Sequence, residues 1–189
     1  MNIPRRQKSI AISNTGPLIS AFQCARIDLL QQNFTEVHIP SSAIDEFRRH
    51  GVFEIISGLI RKQFMIAHNL NASERLEAGD IVKQIAASPL SKDPDFQNHL
   101  VEAEAIVLME RHDINAHLIL LDELAAREIA FARGLTVSGF VGVLIISCQD
   151  GTITAEQVGD LLRVCQRMGT HYSNRLIETV VNKLTKLFF

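Results

Sequence analysis

The sequence predicts an α/β fold: a doubly wound, mostly parallel sheet of about four to five strands flanked by helices, with a helical C-terminal tail. Three observations carry that expectation. Strand-like and helix-like segments alternate, the pattern of a parallel sheet covered by helices. At 189 residues, with 47% hydrophobic and 21% charged, the chain can bury a proper core and fits one domain. From Gly142 onward the alternation gives way to three successive helical segments. The expected division is an α/β domain over 1–150 and a helical extension over 151–189, packed on the same domain.

The elements follow in order. "IAISNTGPLIS" begins as a strand and runs into Asn14, Thr15, Gly16 and Pro17 before apolar residues resume. Asn14 could cap the next helix through its side-chain oxygen, or it could face a shared cleft. "PLISAFQCARIDLL" has helical spacing, and "EVHIP" is a short strand ended by Pro40. "SSAIDEFRRH" opens with a serine N-cap candidate. "RKQFMIAHN" supplies an edge-like strand and "ASERLEAGDIVKQIAA" a Ser-capped helix. "SPLSKDPDFQN" reads as a loop or lid. Then come the helix "HLVEAEAIVLMERH", the strand "HLILLD", the helix "ELAAREIAFARG" stopped by Gly134, and the strand "LTVSG". In the tail, Val158, Leu161, Leu162 and Cys165, then Leu176, Ile177, Val180, Val181 and Leu184, recur at helix spacing.

Composition excludes several classes. No apolar run approaches the roughly 20 residues that cross a bilayer, so no membrane role is expected. The opening "MNIPRRQKSIAIS" is basic like a signal peptide, but Ser13, Asn14 and Pro17 break its apolar segment, and it reads as mature chain. Cys24, Cys148 and Cys165 are odd in number and widely spaced, suggesting neither a disulfide framework nor a zinc site. Three reduced thiols in a cytoplasm are the simplest account. A net charge of −2 and a pI near 6.4 argue against strong non-specific nucleic-acid binding. Local basic clusters at Arg5, Arg6 and Lys8, at Arg48 and Arg49, and at Arg61 and Lys62 read as solvated faces.

Doubly wound sheets hold their functional residues at the carboxyl ends of strands. Asn14 ends the first strand, Asp122 and Glu123 end "HLILLD", Glu102 starts the preceding helix, and Glu46 could approach the same edge. Carboxylates gathered in one cleft repel one another unless a cation compensates. Oxygen-only ligands favour Mg2+ or Mn2+. Glu102 and Glu104 lie about 200° apart on a helix, so both cannot enter one site. Glu102 is preferred, since it shares a face with Ala105, Ile106 and Met109.

Bland readings stand beside these. Asp122 could cap the helix that follows, Glu46 could be solvated, and Glu123 reads first as favourable charge at a helix N-terminus. His112 and His117 are five apart, on different helix faces, and read as surface or loop residues. Gly139 and Gly142 belong to no phosphate-loop motif and read as turn and packing glycines.

"ISNTGPLI", "IPSSAIDEF", "VEAEAIVLM" and "LILLDELAAREIAFARGLTVSGFVGVL" resemble, in order, the successive signatures of PIN-domain proteins, in the branch whose first strand ends in N-T-S-P-L-I. The resemblance extends to the final "DGTI" and two helices. It implies a PIN fold and metal-dependent RNase chemistry on single-stranded RNA, as in VapC-type toxins paired with antitoxins. Carried over by position, the metal site would be Asn14, where most PIN domains have Asp, with Glu46, Glu102 and Asp122 as catalytic carboxylates and Glu123 as an accessory. Val101 stands where a glycine is common, and the segment from that helix to "LILLD" is slightly long. The expected function is an Mg2+- or Mn2+-dependent endoribonuclease, with an antitoxin protein as its partner. The alternative is a catalytically silent PIN scaffold binding RNA or protein. A homodimer is expected from the apolar tail ending in Leu184, Leu187, Phe188 and Phe189, and because PIN proteins are often dimers.

Overall fold

A computed structural model describes residues 7–188. Arg5, Arg6 and Phe189 lie outside that range. Five strands form one all-parallel sheet among these residues: β1 (Ser9–Ser13), β2 (Phe34–Pro40), β3 (Met65–His68), β4 (Leu118–Leu120) and β5 (Val137–Ser138), in the order β3-β2-β1-β4-β5. The chain moves outward from β1 to β2 and β3, then returns to the other side of β1. The topological switch point, where such sheets open a crevice, therefore lies at the carboxyl ends of β1 and β4.

Helices α1 (Thr15–Gln23) and α2 (Ile27–Asn33) follow β1, and α3 (Ala43–Arg49) and α4 (Phe53–Arg61) follow β2. Then come α5 (Ala72–Ala87) and α6 (Leu100–Met109) between β3 and β4, and α7 (Leu124–Ala132) before β5. Helices α8 (Phe140–Gln149), α9 (Ala155–Arg167) and α10 (Asn174–Phe188) close the chain. Strand side chains alternate between faces, and the core follows. Ala11 and Leu120 belong to the cluster under α1–α4 and α8–α10, while Ile12, Ile119 and Leu121 belong to the one under α5–α7. Val158, Leu162, Cys165, Ile177, Val180 and Leu184 share the first cluster with Ala11 and Leu18, so the tail packs onto the sheet domain's own core.

Several local expectations change. "PLISAFQCARIDLL" is two helices, because the chain turns at Ala25, whose φ of 52° lies in the left-handed region. Helix α4 has no counterpart among the expected elements; it buries Ile56 and Leu59. The cap of α5 is Asn71, in a reciprocal capping box with Glu74, and not a serine. Ser42 does occupy the N-cap position of α3, but its hydroxyl donates to Glu104. At the tail end Leu184 is buried and Leu187 exposed. Among the described residues no helix is long and apolar enough to cross a membrane.

Candidate active site

Strand β1 is the central strand, and Asn14 follows directly after it. Its backbone N–H donates to the Leu120 carbonyl at 3.3 Å, which fastens it against β4. It occupies the N-cap position of α1, yet its side chain makes no cap hydrogen bond. The amide turns instead toward α6, where Nδ2 donates to Glu102 Oε1 at 2.8 Å. This resolves the two readings of "SNTGP" in favour of the cleft. Among the described residues, the buried side-chain oxygens without a hydrogen-bond partner are Asn14 Oδ1, Glu102 Oε2 and Glu123 Oε2. Burial pushes the Glu102 carboxyl up to about 7; the charges of Glu46 and Glu123 add to this, while its own backbone N–H and the Asn14 amide oppose it. Glu104, on the far side of α6, is buried against the Ser42 hydroxyl, away from Asn14. The 200° separation therefore sorts the two glutamates.

Glu46 reaches the site from its edge. Its Oε2 accepts from the hydroxyl of Thr15, the residue after Asn14, and its Oε1 lies 3.8 Å from Arg49 Nη2.

Asp122 is placed differently. It follows β4, and its Oδ1 accepts the Phe140 N–H at 3.0 Å, so it caps α8 and not the helix that follows it in sequence. Its Oδ2 accepts the Tyr172 hydroxyl at 3.1 Å, from the segment joining α9 to α10. Burial raises the Asp122 carboxyl above the ordinary range, and these two hydrogen bonds and the Arg127 charge oppose the rise. Gly139 admits this approach, since a Cβ there would run into Asp122 Oδ1 and stand 2.9 Å from the Leu121 carbonyl. At Gly142 a Cβ would meet the Ser138 hydroxyl. Arg127 Nη1 donates to the carbonyls of Leu121 and Ser138, both at 2.8 Å, and so pins β4 to β5 beside the site.

Glu123 is the N-cap residue of α7 without capping it through its side chain. Its Oε2 lies 3.5 Å from His99 Nδ1, and burial raises its carboxyl while the His99 charge opposes. His99 is buried at the end of the expected lid, where Nε2 meets the Asp93 carbonyl at 2.8 Å. Asn14, Glu102, Asp122 and Glu123 line one cleft of about 970 Å3, with Lys92 and His171 among its other walls. Thr15, His99, Arg127 and Tyr172 were not anticipated by sequence reasoning. His112 and His117 lie elsewhere; His117 Nδ1 accepts from the Ile10 N–H near the amino end of β1.

Asn14 and the carboxylates offer oxygens, which suits a hard divalent cation, and the unpartnered oxygens of Asn14, Glu102 and Glu123 fit one. Asp122 and the Oε2 of Glu46 are engaged by protein donors. Among the described residues no three His, Cys, Asp or Glu side chains form a group that could hold a metal ion.

A topological switch point lined by buried acidic residues on an all-parallel five-stranded sheet defines an α/β protein with a PIN-like crevice. The family model DUF3368, a PIN domain, matches residues 10–186, and the chain belongs to this PIN-domain family. The fold is thus that of a nuclease family whose members typically use divalent metal ions. No curated protein and no solved structure matches the chain.

Proposed function

We propose that this PIN domain is a metal-dependent endoribonuclease that hydrolyses single-stranded RNA, of the kind found as the toxin of toxin–antitoxin pairs. The observation that carries the reading is the set of buried, unpartnered oxygens, Asn14 Oδ1, Glu102 Oε2 and Glu123 Oε2, in one cleft with Asp122. Asn14 and Glu102 would hold Mg2+ or Mn2+, joined by Asp122 and Glu46, with Glu123 as an accessory. A bound divalent ion would supply an acidified water and stabilise charge on the phosphate.

The chain's own residues then have separable tasks. The Asn14 amide N–H fixes the rotamer of Glu102 and directs its own carbonyl oxygen into the cleft. Burial raises the Glu102 carboxyl to about 7, so a cation bound there must displace its proton. Lys92 and His171 on the walls meet the phosphodiester, while Arg127 serves the sheet. Leu124, Phe131, Leu176 and Leu187 leave apolar surface that a second copy or an antitoxin would cover. Light scattering at micromolar concentration should return a dimer; a 21.1 kDa species would remove that part of the reading.

One observation favours a second reading, a silent PIN scaffold. Both Asp122 oxygens are already satisfied by Phe140 and Tyr172. A panel of single-stranded RNAs, incubated with Mn2+, Mg2+ or EDTA, separates the two. The nuclease reading expects cleavage that EDTA stops and Asp122→Asn reduces by a hundredfold or more, roughly the scale for loss of a group that stabilises transition-state charge. Absence of cleavage with every metal favours the scaffold, and equal cleavage by the variant sinks the site assignment.

A further inference from the structure

The reduced cysteines are not equivalent. Cys24 sits at the C-cap of α1, part-exposed, and Cys165 is fully buried on α9. They are 141 residues apart in sequence, yet their Sγ atoms are 3.1 Å apart. A disulfide needs about 2.05 Å between sulfurs, a closure of roughly 1 Å that side-chain rotation can supply. Cys148 is buried, and no thiol or carboxylate partner accompanies it among the contacts of the described residues.

We propose that Cys24 and Cys165 form a redox-active dithiol, a modification site at which a peroxide closes an intramolecular disulfide between α1 and α9. This does not depend on the nuclease reading. The two roles are set by surroundings. The Cys165 hydrogen bond, with a smaller contribution from the Arg26 charge, lowers the Cys24 thiol, although burial opposes. Cys165 is pushed up, by its hydrogen bond to Cys24 and then by burial. Cys24, the part-exposed sulfur, is the one a peroxide can reach, and Cys165, fully buried beside it, resolves.

The Cys24 sulfur attacks one peroxide oxygen; the S–O bond forms, the O–O bond breaks, and the leaving hydroxide takes a proton to become water. Cys24 is now a sulfenic acid. The Cys165 sulfur then loses its proton and attacks Cys24, the S–S bond forms, the S–O bond breaks, and a second water leaves. Two thiols are oxidised to one disulfide while hydrogen peroxide is reduced to two waters. The product covalently fastens the tail to the helix that begins at Asn14.

The full chain, reduced and then treated with hydrogen peroxide, tests this by maleimide labelling in denaturant, intact mass and thermal melting. The expected result is loss of two hydrogens, label on Cys148 alone, and a melting temperature raised by roughly 5–10 °C, all reversed by dithiothreitol. Cys148→Ser should behave like wild type, and Cys24→Ser should form no intramolecular link. Three labelled thiols after peroxide, a link involving Cys148, or oxygen addition at Cys24 without a link would overturn the proposal. If Cys24→Ser fails to fold, peptide mapping of oxidised wild type for a Cys24–Cys165 cross-link decides the same question.

Discussion

Asn14 with Glu102 on one side of the cleft, and Asp122 on the other, are hydrogen-bonded in opposite ways. On the β1 side, Asn14 and Glu102 satisfy each other once and leave one buried oxygen apiece without a partner. On the β4 side, Asp122 has one donor for each oxygen, from Phe140 and Tyr172, while the neighbouring Glu123 Oε2 has only His99 Nδ1 nearby, at 3.5 Å. An unpaired buried oxygen costs folding energy, and a doubly bonded carboxylate contributes to it. Burial raises both carboxyls, so the difference lies in which oxygens are left open and which are already bonded. The difference teaches where a ligand adds most: it would relieve the β1 side, and on the β4 side it must compete with the protein.

The largest expected contrast is in the pH dependence of the metal-free protein. Glu102 holds its proton more tightly folded, near 7, than at its ordinary value of 4.5. Between those values the native state binds more protons than the unfolded chain, so stability falls as pH rises through that window. Glu102→Gln keeps an oxygen for the Asn14 amide and removes the titration. It should be close to neutral at pH 4.5 and stabilise the protein by about 1–3 kcal/mol at pH 8, read from urea unfolding. A variant that destabilises at pH 8 would erase the distinction between the halves.

The opposite sign is expected across the cleft. Asp122→Ala removes acceptors from the α8 N-terminus and from Tyr172 and should cost about 2–3 kcal/mol in the same assay near pH 4, and less at pH 8, where ionising the buried carboxyl offsets part of that bonding. Tyr172→Phe takes away one bond only, for about 0.5–1.5 kcal/mol. It leaves Asp122 Oδ2 without that donor, so Mn2+ affinity should hold or improve while stability drops. Loss of affinity in Tyr172→Phe would mean that the tyrosine supports the metal site and does not compete with it.

The sequence makes the β1 half readable and conceals much of the other. Asn14 can be placed because an apolar run stops at it, and Glu102 can be chosen over Glu104 because helix periodicity separates their faces. The strand order follows less directly, but alternation of short apolar strands with helices implies a parallel sheet. The tail's helical spacing likewise announces that Val158, Leu162 and Ile177 face a core. What is hidden depends on distant pairing. Asp122 meets Phe140 and Tyr172 across 18 and 50 residues, with no local pattern to join them. His99 reads as the first residue of a helix, and nothing local announces that folding brings Glu123 beside it. The break at Ala25 is equally silent, since alanine gives no warning of a left-handed backbone.

Calorimetric titration of Mn2+ into wild type, Asn14→Asp, Asn14→Ala and Glu102→Gln at pH 8 tests the central claim, that the Asn14–Glu102 pair is the seat of the metal. The added charge of Asn14→Asp should tighten binding roughly tenfold, and Asn14→Ala and Glu102→Gln should each weaken it at least about tenfold. Binding by wild type should weaken as the pH is lowered from 8 to 6, and at pH 6 it should release most of a proton as Glu102 ionises. Unchanged Mn2+ affinity across all three variants, with melts showing each one folded, would contradict the account.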